Sequence, residues 1–199
     1  MFLVLEGLDG SGTSTQKQRL AAWLSERGHT VHTTAEPSDG PVGRLIRSTL
    51  RREPGSPSPT TLPWMFAADR ADHLAREIEP ALGRGEVVLC DRYLHSSLAY
   101  QSLALPLDRV WQLNADFRVP HLTLFVDVPA EVSMARIDAR GEAKELFEEQ
   151  GRLEAIRDSY HRVLARLRER GDRIVTVDGQ GSRDHVTSVL QECLRDLGL

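Results

Sequence analysis

Residues Phe2 to Arg27 read FLVLEGLDGSGTSTQKQRLAAWLSER, and this run decides the fold. Phe2, Leu3, Val4 and Leu5 form a short apolar stretch suited to a strand buried on both faces. The octamer Gly7 to Ser14, GLDGSGTS, then has the spacing of a phosphate-binding loop, G-x-x-x-x-G-K-[ST]. Thr15 to Arg27 follows with a helical pattern that places Leu20, Trp23 and Leu24 on one face, and Gly28 stops it. Strand, loop and helix in that order lift the octamer above an ordinary Gly/Ser turn. A glycine-rich turn lets successive backbone N–H groups close on phosphate oxygens at a helix N-terminus. Gly7, Gly10, Ser11, Gly12, Thr13, Ser14 and Thr15 are therefore the candidate binding residues for a nucleotide triphosphate, with Ser14 as the metal-side hydroxyl. Thr13 stands where the pattern calls for lysine.

With 199 residues and 40% apolar content, the chain suffices for one α/β domain over residues 1–199 and leaves little room for a second. A net charge of −4 argues against a general nucleic-acid binder, which needs an excess of Lys and Arg. Cys90 and Cys193 are far apart and form no disulfide framework. No stretch approaches the ~20 apolar residues of a membrane span, and the chain opens on a strand pattern rather than a targeting segment. These features predict a soluble, cytoplasmic protein without membrane partners.

Strand-like runs recur at Thr30–Thr34, Val87–Asp91, Leu122–Val128 and Arg173–Asp178, separated by helical composition, which predicts a mostly parallel sheet. Arg52 to Pro63 holds four prolines and a glycine and is expected to form an irregular surface loop. Ala143 to Arg170 is dense in charge at helical spacing and reads as a solvated helical face. A second chemical landmark is EVVLCDRY, Glu86 to Tyr93, where an apolar strand delivers Asp91 and Arg92 at its carboxyl end. Ligands of open α/β sheets bind at that edge. There an aspartate can hold Mg²⁺ and an arginine can grip a phosphate as a two-pronged donor.

Phe66 and Arg70 stand four apart on one predicted helix, so a ring lies beside a guanidinium, which suits a flat base with a carbonyl. Ser97, Tyr100 and Gln101 share a face of the helix after Arg92 and could form the opposite wall of a small pocket. Arg44, Arg47 and Arg51 make a basic stripe. Lys17 lies one turn beyond Thr13, about 6 Å along the helix axis, and helical side chains lean towards the N-terminus, so its ammonium could reach back to the loop.

FLVLEGLDGSG, AEPSDGPVGRLIR from Ala35 to Arg47, MFAADRADHLAREIEPAL from Met65 to Leu82, CDRYLHSSLAYQ from Cys90 to Gln101 and LTLFVDVPAEVSMARI from Leu122 to Ile137 together resemble the thymidylate kinase family. The resemblance runs nearly end to end. It implies a three-layer P-loop NTPase fold, a five-stranded parallel sheet flanked by helices, with a lid over about residues 138–150 and a homodimeric state. It implies transfer of a phosphoryl group from ATP, carried with Mg²⁺, to dTMP, in dTTP biosynthesis. Matched position by position, the acceptor set is Asp9, Glu36, Arg47, Phe66, Arg70, Arg92, Ser97, Tyr100 and Gln101, with Arg47 and Arg92 on the acceptor phosphate. Ser14 and Asp91 fall on the metal side, and Asp9 and Arg92 at the reaction.

Two positions depart from the family pattern. Thr13 replaces the P-loop lysine, and Leu146 stands in the slot of the lid arginine, within Lys144 to Glu148. Losing one electrostatic contact to developing charge costs roughly 2.7–4 kcal/mol, which slows transfer without abolishing it. Arg136, Arg140 and Lys144 at four-residue steps, together with Lys17, are the cations available to replace the charge, with Arg136, Arg140 and Lys17 assigned to catalysis. Three readings stay open: an active dTMP kinase, a kinase for another pyrimidine monophosphate such as dUMP, and a catalytically impaired nucleotide-binding paralogue.

Overall fold

A computed structural model of the chain describes residues 1–141 and 145–199. The strands are β1 Phe2–Gly7, β2 Val31–Ala35, β3 Val87–Asp91, β4 Leu122–Asp127 and β5 Ile174–Asp178. They form one five-stranded sheet in the order β2-β3-β1-β4-β5, with every neighbouring pair parallel. The expected α/β architecture is therefore present. Each predicted strand lies within two residues of its observed bounds; β1, β3 and β4 are almost wholly buried and read as plain apolar runs, while the edge strands β2 and β5 are only partly covered.

Strand β1 illustrates the layering. Phe2 and Val4 pack with Val88, Leu98, Phe125, Ile156 and Tyr160 on one face, while Leu3 and Leu5 pack with Leu20, Leu24, Val186 and Leu190 on the other. Helices α1 Thr13–Glu26 and α9 Arg183–Arg195 cover the second face. Helices α5 Leu94–Gln101, α7 Ala130–Asp138 and α8 Gln150–Glu169 cover the first. The remaining helices are α2 Pro41–Leu50, α3 Leu62–His73, α4 Glu79–Gly83 and α6 Leu107–Asn114. Helix α8 is only half solvated. It buries Leu153, Ile156, Tyr160, Val163, Leu164 and Leu167, so the charge-rich stretch is an amphipathic core helix rather than a solvated face alone.

The proline-rich segment also departs from expectation. Pro59–Thr61 makes a 3₁₀ turn whose start is capped by the Ser58 hydroxyl, and α3 begins at Leu62 with Pro63 in its first turn. Proline is tolerated there because the first helical N–H groups have no intrahelical acceptor to lose. Leu62 is buried against Ile46 and Leu146 and anchors the segment. Of the expected lid, Lys144 lies outside the described residues.

Candidate active site

The loop after β1 is shaped by its glycines. Gly10 and Gly12 have φ of 79° and 96°, left-handed values that suit a residue without Cβ. A Cβ on Gly7 would lie 2.4 Å from Ser11 Oγ and 2.8 Å from the Val126 carbonyl oxygen. Gly7 thus lets β1 and β4 approach closely rather than lining the cavity. Helix α1 starts at Thr13, has no side-chain cap and carries no acidic residue in its first turn. Its N-terminal N–H groups and positive dipole end are left for an anion. A cavity of about 550 Å³ opens here, lined by Gly10, Ser11, Gly12, Thr13, Ser14 and Thr15 and by Asp9, Arg92, Arg136, Arg140 and Arg183.

Ser14 Oγ donates to Asp91 Oδ2 over 2.5 Å, joining the loop to the end of β3. Asp91 is buried and its Oδ1 has no partner among the described residues. A hydroxyl beside a carboxylate with a spare oxygen is a hard-oxygen donor pair of the kind magnesium accepts with a nucleotide. The residues present fit that ion.

A second, narrower cavity of about 130 Å³ is lined by Glu36, Phe66, Arg70, Ser97, Tyr100 and Gln101, and again by Asp9 and Arg92. Arg70 is fully buried. Its Nη2 donates to Glu36 Oε2 at 2.6 Å and to Ser97 Oγ at 2.9 Å, its Nη1 to Asn114 Oδ1, and its Nε has no partner among the described residues. Tyr100 donates its hydroxyl to Asp9 Oδ2 at 3.0 Å, and the Arg92 guanidinium lies 5.2 Å from its ring centre. Burial pushes the Tyr100 hydroxyl far above its ordinary range, so it stays a donor. Phe147 meets Tyr100 edge to face, and Glu145 lines the same cavity. Burial, then the charges of Asp9 and Glu148, raise the Glu145 carboxyl above its usual range.

The two cavities meet at Asp9 and Arg92, which line both. Arg92 Nη2 donates to Asp9 Oδ1 at 2.8 Å, and Arg92 itself has φ of 69°, a left-handed conformation rare for a side chain of this size. Such strain costs about 1–3 kcal/mol and persists only where surroundings enforce it.

Two expected residues go elsewhere. Lys17 Nζ donates to the Thr34 carbonyl oxygen at 2.9 Å and does not line the cavity at the loop, so it does not reach back to the loop. A carbonyl at the end of β2 is the acceptor it finds first. Arg47 donates to the carbonyl oxygens of Ser38 at 2.7 Å and Pro37 at 2.6 Å and to Asp39; it lines neither cavity itself, although Pro37 borders the smaller one. It stiffens the loop after β2 in this structure. Arg136 lines the cavity at the loop but is committed to the carbonyls of Ser11 and Gly179, at 3.2 and 3.0 Å. Arg140 lines it too, paired with Glu148 at 2.5 Å. Leu146, in the lid-arginine slot, is buried and takes its N–H to the Leu50 carbonyl oxygen.

Sequence reasoning also missed residues that build the site. Asn114 orients Arg70, and Phe147 closes on Tyr100. Glu6, wholly buried at the end of β1, accepts from Tyr93 N–H at 2.8 Å and from Ser96 Oγ at 2.6 Å. A lone acid inside an apolar strand was the signal available, since a buried charge must be paired.

Comparison with known proteins agrees with this geometry. The family model described as Thymidylate kinase matches residues 5–189. The chain is 46% identical over 149 residues to the "Probable thymidylate kinase" of Pyrococcus abyssi, covering 72% of this chain and 73% of the relative. It is 39% identical over 196 residues to the "Thymidylate kinase" of Synechococcus sp. (strain JA-2-3B'a(2-13)), covering 96% and 92%. It is 39% identical over 196 residues to the "Thymidylate kinase" of Syntrophotalea carbinolica, covering 93% and 90%. With a glycine loop of this spacing opening on one cavity, a second cavity beside it, and a match from residue 5 to residue 189, the chain belongs to the thymidylate kinase family of phosphotransferases.

Proposed function

We propose that the chain transfers the γ-phosphoryl group of ATP to dTMP, giving dTDP and ADP, despite Thr13 in its loop. The observation that carries this reading is that Asp9 and Arg92 line both cavities, so a donor phosphate in one and an acceptor phosphate in the other converge on them. Phosphoryl transfer is mostly in-line positioning and charge compensation, which two nucleotides held end to end would receive.

The residues divide the task. Backbone N–H groups of the loop and the N-terminus of α1 bind donor phosphates. Ser14 and Asp91 would hold magnesium carried with ATP, which supplies charge neutralisation at the phosphates when bound. Phe66 offers a face for the pyrimidine and Arg70 a donor to its edge, while Tyr100 and Asp9 crowd the sugar side. Arg92 grips the acceptor phosphate. With lysine absent, Arg140 is the cation we assign to the transferring group, because it lines the cavity of the loop and its guanidinium pairs with Glu148 of the expected lid rather than with the loop carbonyls that hold Arg136. Arg136 braces the loop and adds positive potential from the same cavity. A homodimer in solution belongs to the same reading, for which Leu45 on α2 and Trp64 on α3, both exposed, are the apolar residues to test.

A second reading has an observation in its favour. Thr13 removes one donor-side cation and Leu146 spends the lid slot on packing, as a nucleotide-binding paralogue without turnover would. ADP release with dTMP, dUMP, dCMP and dGMP, measured for wild type and Thr13→Lys, separates the readings. Turnover of wild type with dTMP above the other acceptors supports the kinase. No turnover in wild type with a gain in Thr13→Lys supports the paralogue, and preference for dUMP would change the acceptor.

A further inference from the structure

Glu6 continues β1 on the face that carries Phe2 and Val4, yet it is a carboxylate with no exposed surface. Its environment is built for a charge. Oε1 accepts from the backbone N–H of Tyr93 at 2.8 Å and of Ser96 at 3.3 Å, so a strand residue caps the N-terminus of α5. His95 Nδ1 stands 3.4 Å from the same oxygen. Burial alone would push the carboxyl up; the neighbouring His95, then the Ser96 hydroxyl and the charge of Arg92, outweigh it and hold the group below its usual range.

Oε2 faces two hydroxyls, Ser96 Oγ at 2.6 Å and Tyr160 OH at 2.9 Å, which lie 2.7 Å from one another. Both hydroxyl oxygens also receive Arg92 Nη1, at 3.1 and 3.4 Å. A guanidinium only donates, so each oxygen must turn a lone pair towards Arg92 and its proton elsewhere. The Gly7 carbonyl oxygen lies 3.4 Å from the Tyr160 hydroxyl, but the shorter contacts, 2.6 and 2.9 Å, run to Glu6, so whichever hydroxyl donates to the other, the chain of protons ends on the carboxylate as the nearer acceptor. Glu6 therefore fixes the hydrogen-bond direction of the seat in which Arg92 rests.

We infer that Glu6, acting through the hydroxyls of Tyr160 and Ser96, is a positioning residue for Arg92. The seat explains how Arg92 keeps its left-handed backbone at the junction of the cavities. The Arg92 N–H is held by the Leu5 carbonyl oxygen at 2.8 Å, Tyr93 N–H by Glu6, and the side chain by the two hydroxyls and Asp9. Glutamine at position 6 would break this pattern in either orientation. Its amide nitrogen would face two backbone donors, or it would donate to the hydroxyls and turn their protons towards the guanidinium.

The inference rests on the dTMP kinase reading for its effect on rate, and the test keeps the two apart. Steady-state rates and dTMP dissociation constants are measured for wild type, Glu6→Gln, Tyr160→Phe, Arg92→Ala and the two doubles carrying Arg92→Ala. The expected result is a kcat loss of about tenfold for Tyr160→Phe and more for Glu6→Gln, the scale of removing a charge-assisted hydrogen-bond partner. KM for ATP changes less than kcat does, since the loop N–H groups that hold most of the donor are untouched. In the Arg92→Ala background neither substitution lowers kcat or weakens dTMP further. Full additive losses in that background, or an unaffected Tyr160→Phe enzyme, would overturn the inference. If Glu6→Gln does not fold, the Tyr160→Phe cycle alone decides, because it removes a single oxygen. An inactive wild type in which Tyr160 and Arg92 still couple in dTMP binding would overturn the kinase reading and leave the positioning role standing.

Discussion

The ammonium of Lys17 donates to the carbonyl oxygen of Thr34 over 2.9 Å, tying α1 to the end of β2 one turn beyond the loop that lacks its lysine. A half-buried lysine held this way stabilises the fold rather than compensating Thr13. Lys17→Ala should cost about 1 kcal/mol in unfolding free energy, the net worth of one such hydrogen bond. Its kcat should stay within about threefold of wild type, as expected of a group that does not touch the transferring charge. Urea unfolding and steady-state kinetics check the two halves.

Thr13 lines the donor cavity, so a lysine introduced there meets the phosphates directly. Thr13→Lys should raise kcat by about tenfold to a hundredfold, somewhat less than the full value of a lost electrostatic contact because Arg140 already supplies charge. Single-turnover rates at saturating ATP and dTMP measure it.

Glu36 and Arg70 are each almost wholly buried, so cutting the pair leaves an uncompensated charge in the core. Glu36→Ala should destabilise the protein by about 3–5 kcal/mol, the cost of removing one partner from a buried ion pair. His73, whose Nδ1 stands 3.3 Å from Glu36, loses a neighbour in the same step. Denaturant unfolding gives the number.

Glu145 brings a carboxylate into the acceptor cavity beside Asp9 and Glu148, and its raised pKa means the folded state favours the protonated form. Its contribution to stability is fully present below the ordinary carboxylate pKa and is lost as pH rises through the higher folded value. Glu145→Gln should flatten that fall in acid titrations of stability. It should also lower KM for dTMP near neutral pH, because one negative charge fewer faces the acceptor phosphate.

Much of the fold was legible because β1, the glycine loop and α1 obey local rules: an apolar run covered on both faces, glycines at positive φ, and a helix with an apolar stripe. The grouping of the residues expected to hold the acceptor was legible in the same sense, since Phe66 with Arg70 and Ser97 with Tyr100 and Gln101 share helical faces, and all five line one cavity. Long cations were not legible. Lys17 and Arg47 have flexible stems and take the nearest carbonyl oxygens, Thr34 for one and Pro37 and Ser38 for the other, which only tertiary structure brings close. Glu6 was overlooked for the opposite reason. Its partners come from α5 and α8, 90 and 154 residues away, and no local spacing announces them.

The central claim is that a phosphoryl group passes between the two cavities at Asp9 and Arg92. The most direct measurement follows label from γ-³²P-ATP in the presence of dTMP and magnesium, for wild type and Arg92→Ala. The account predicts label in dTDP, one for each ADP formed, and a fall of about a hundred- to a thousandfold in Arg92→Ala, the scale of losing one electrostatic contact to the reacting phosphates. Saturable binding of both nucleotides by wild type with no label reaching dTDP would contradict it.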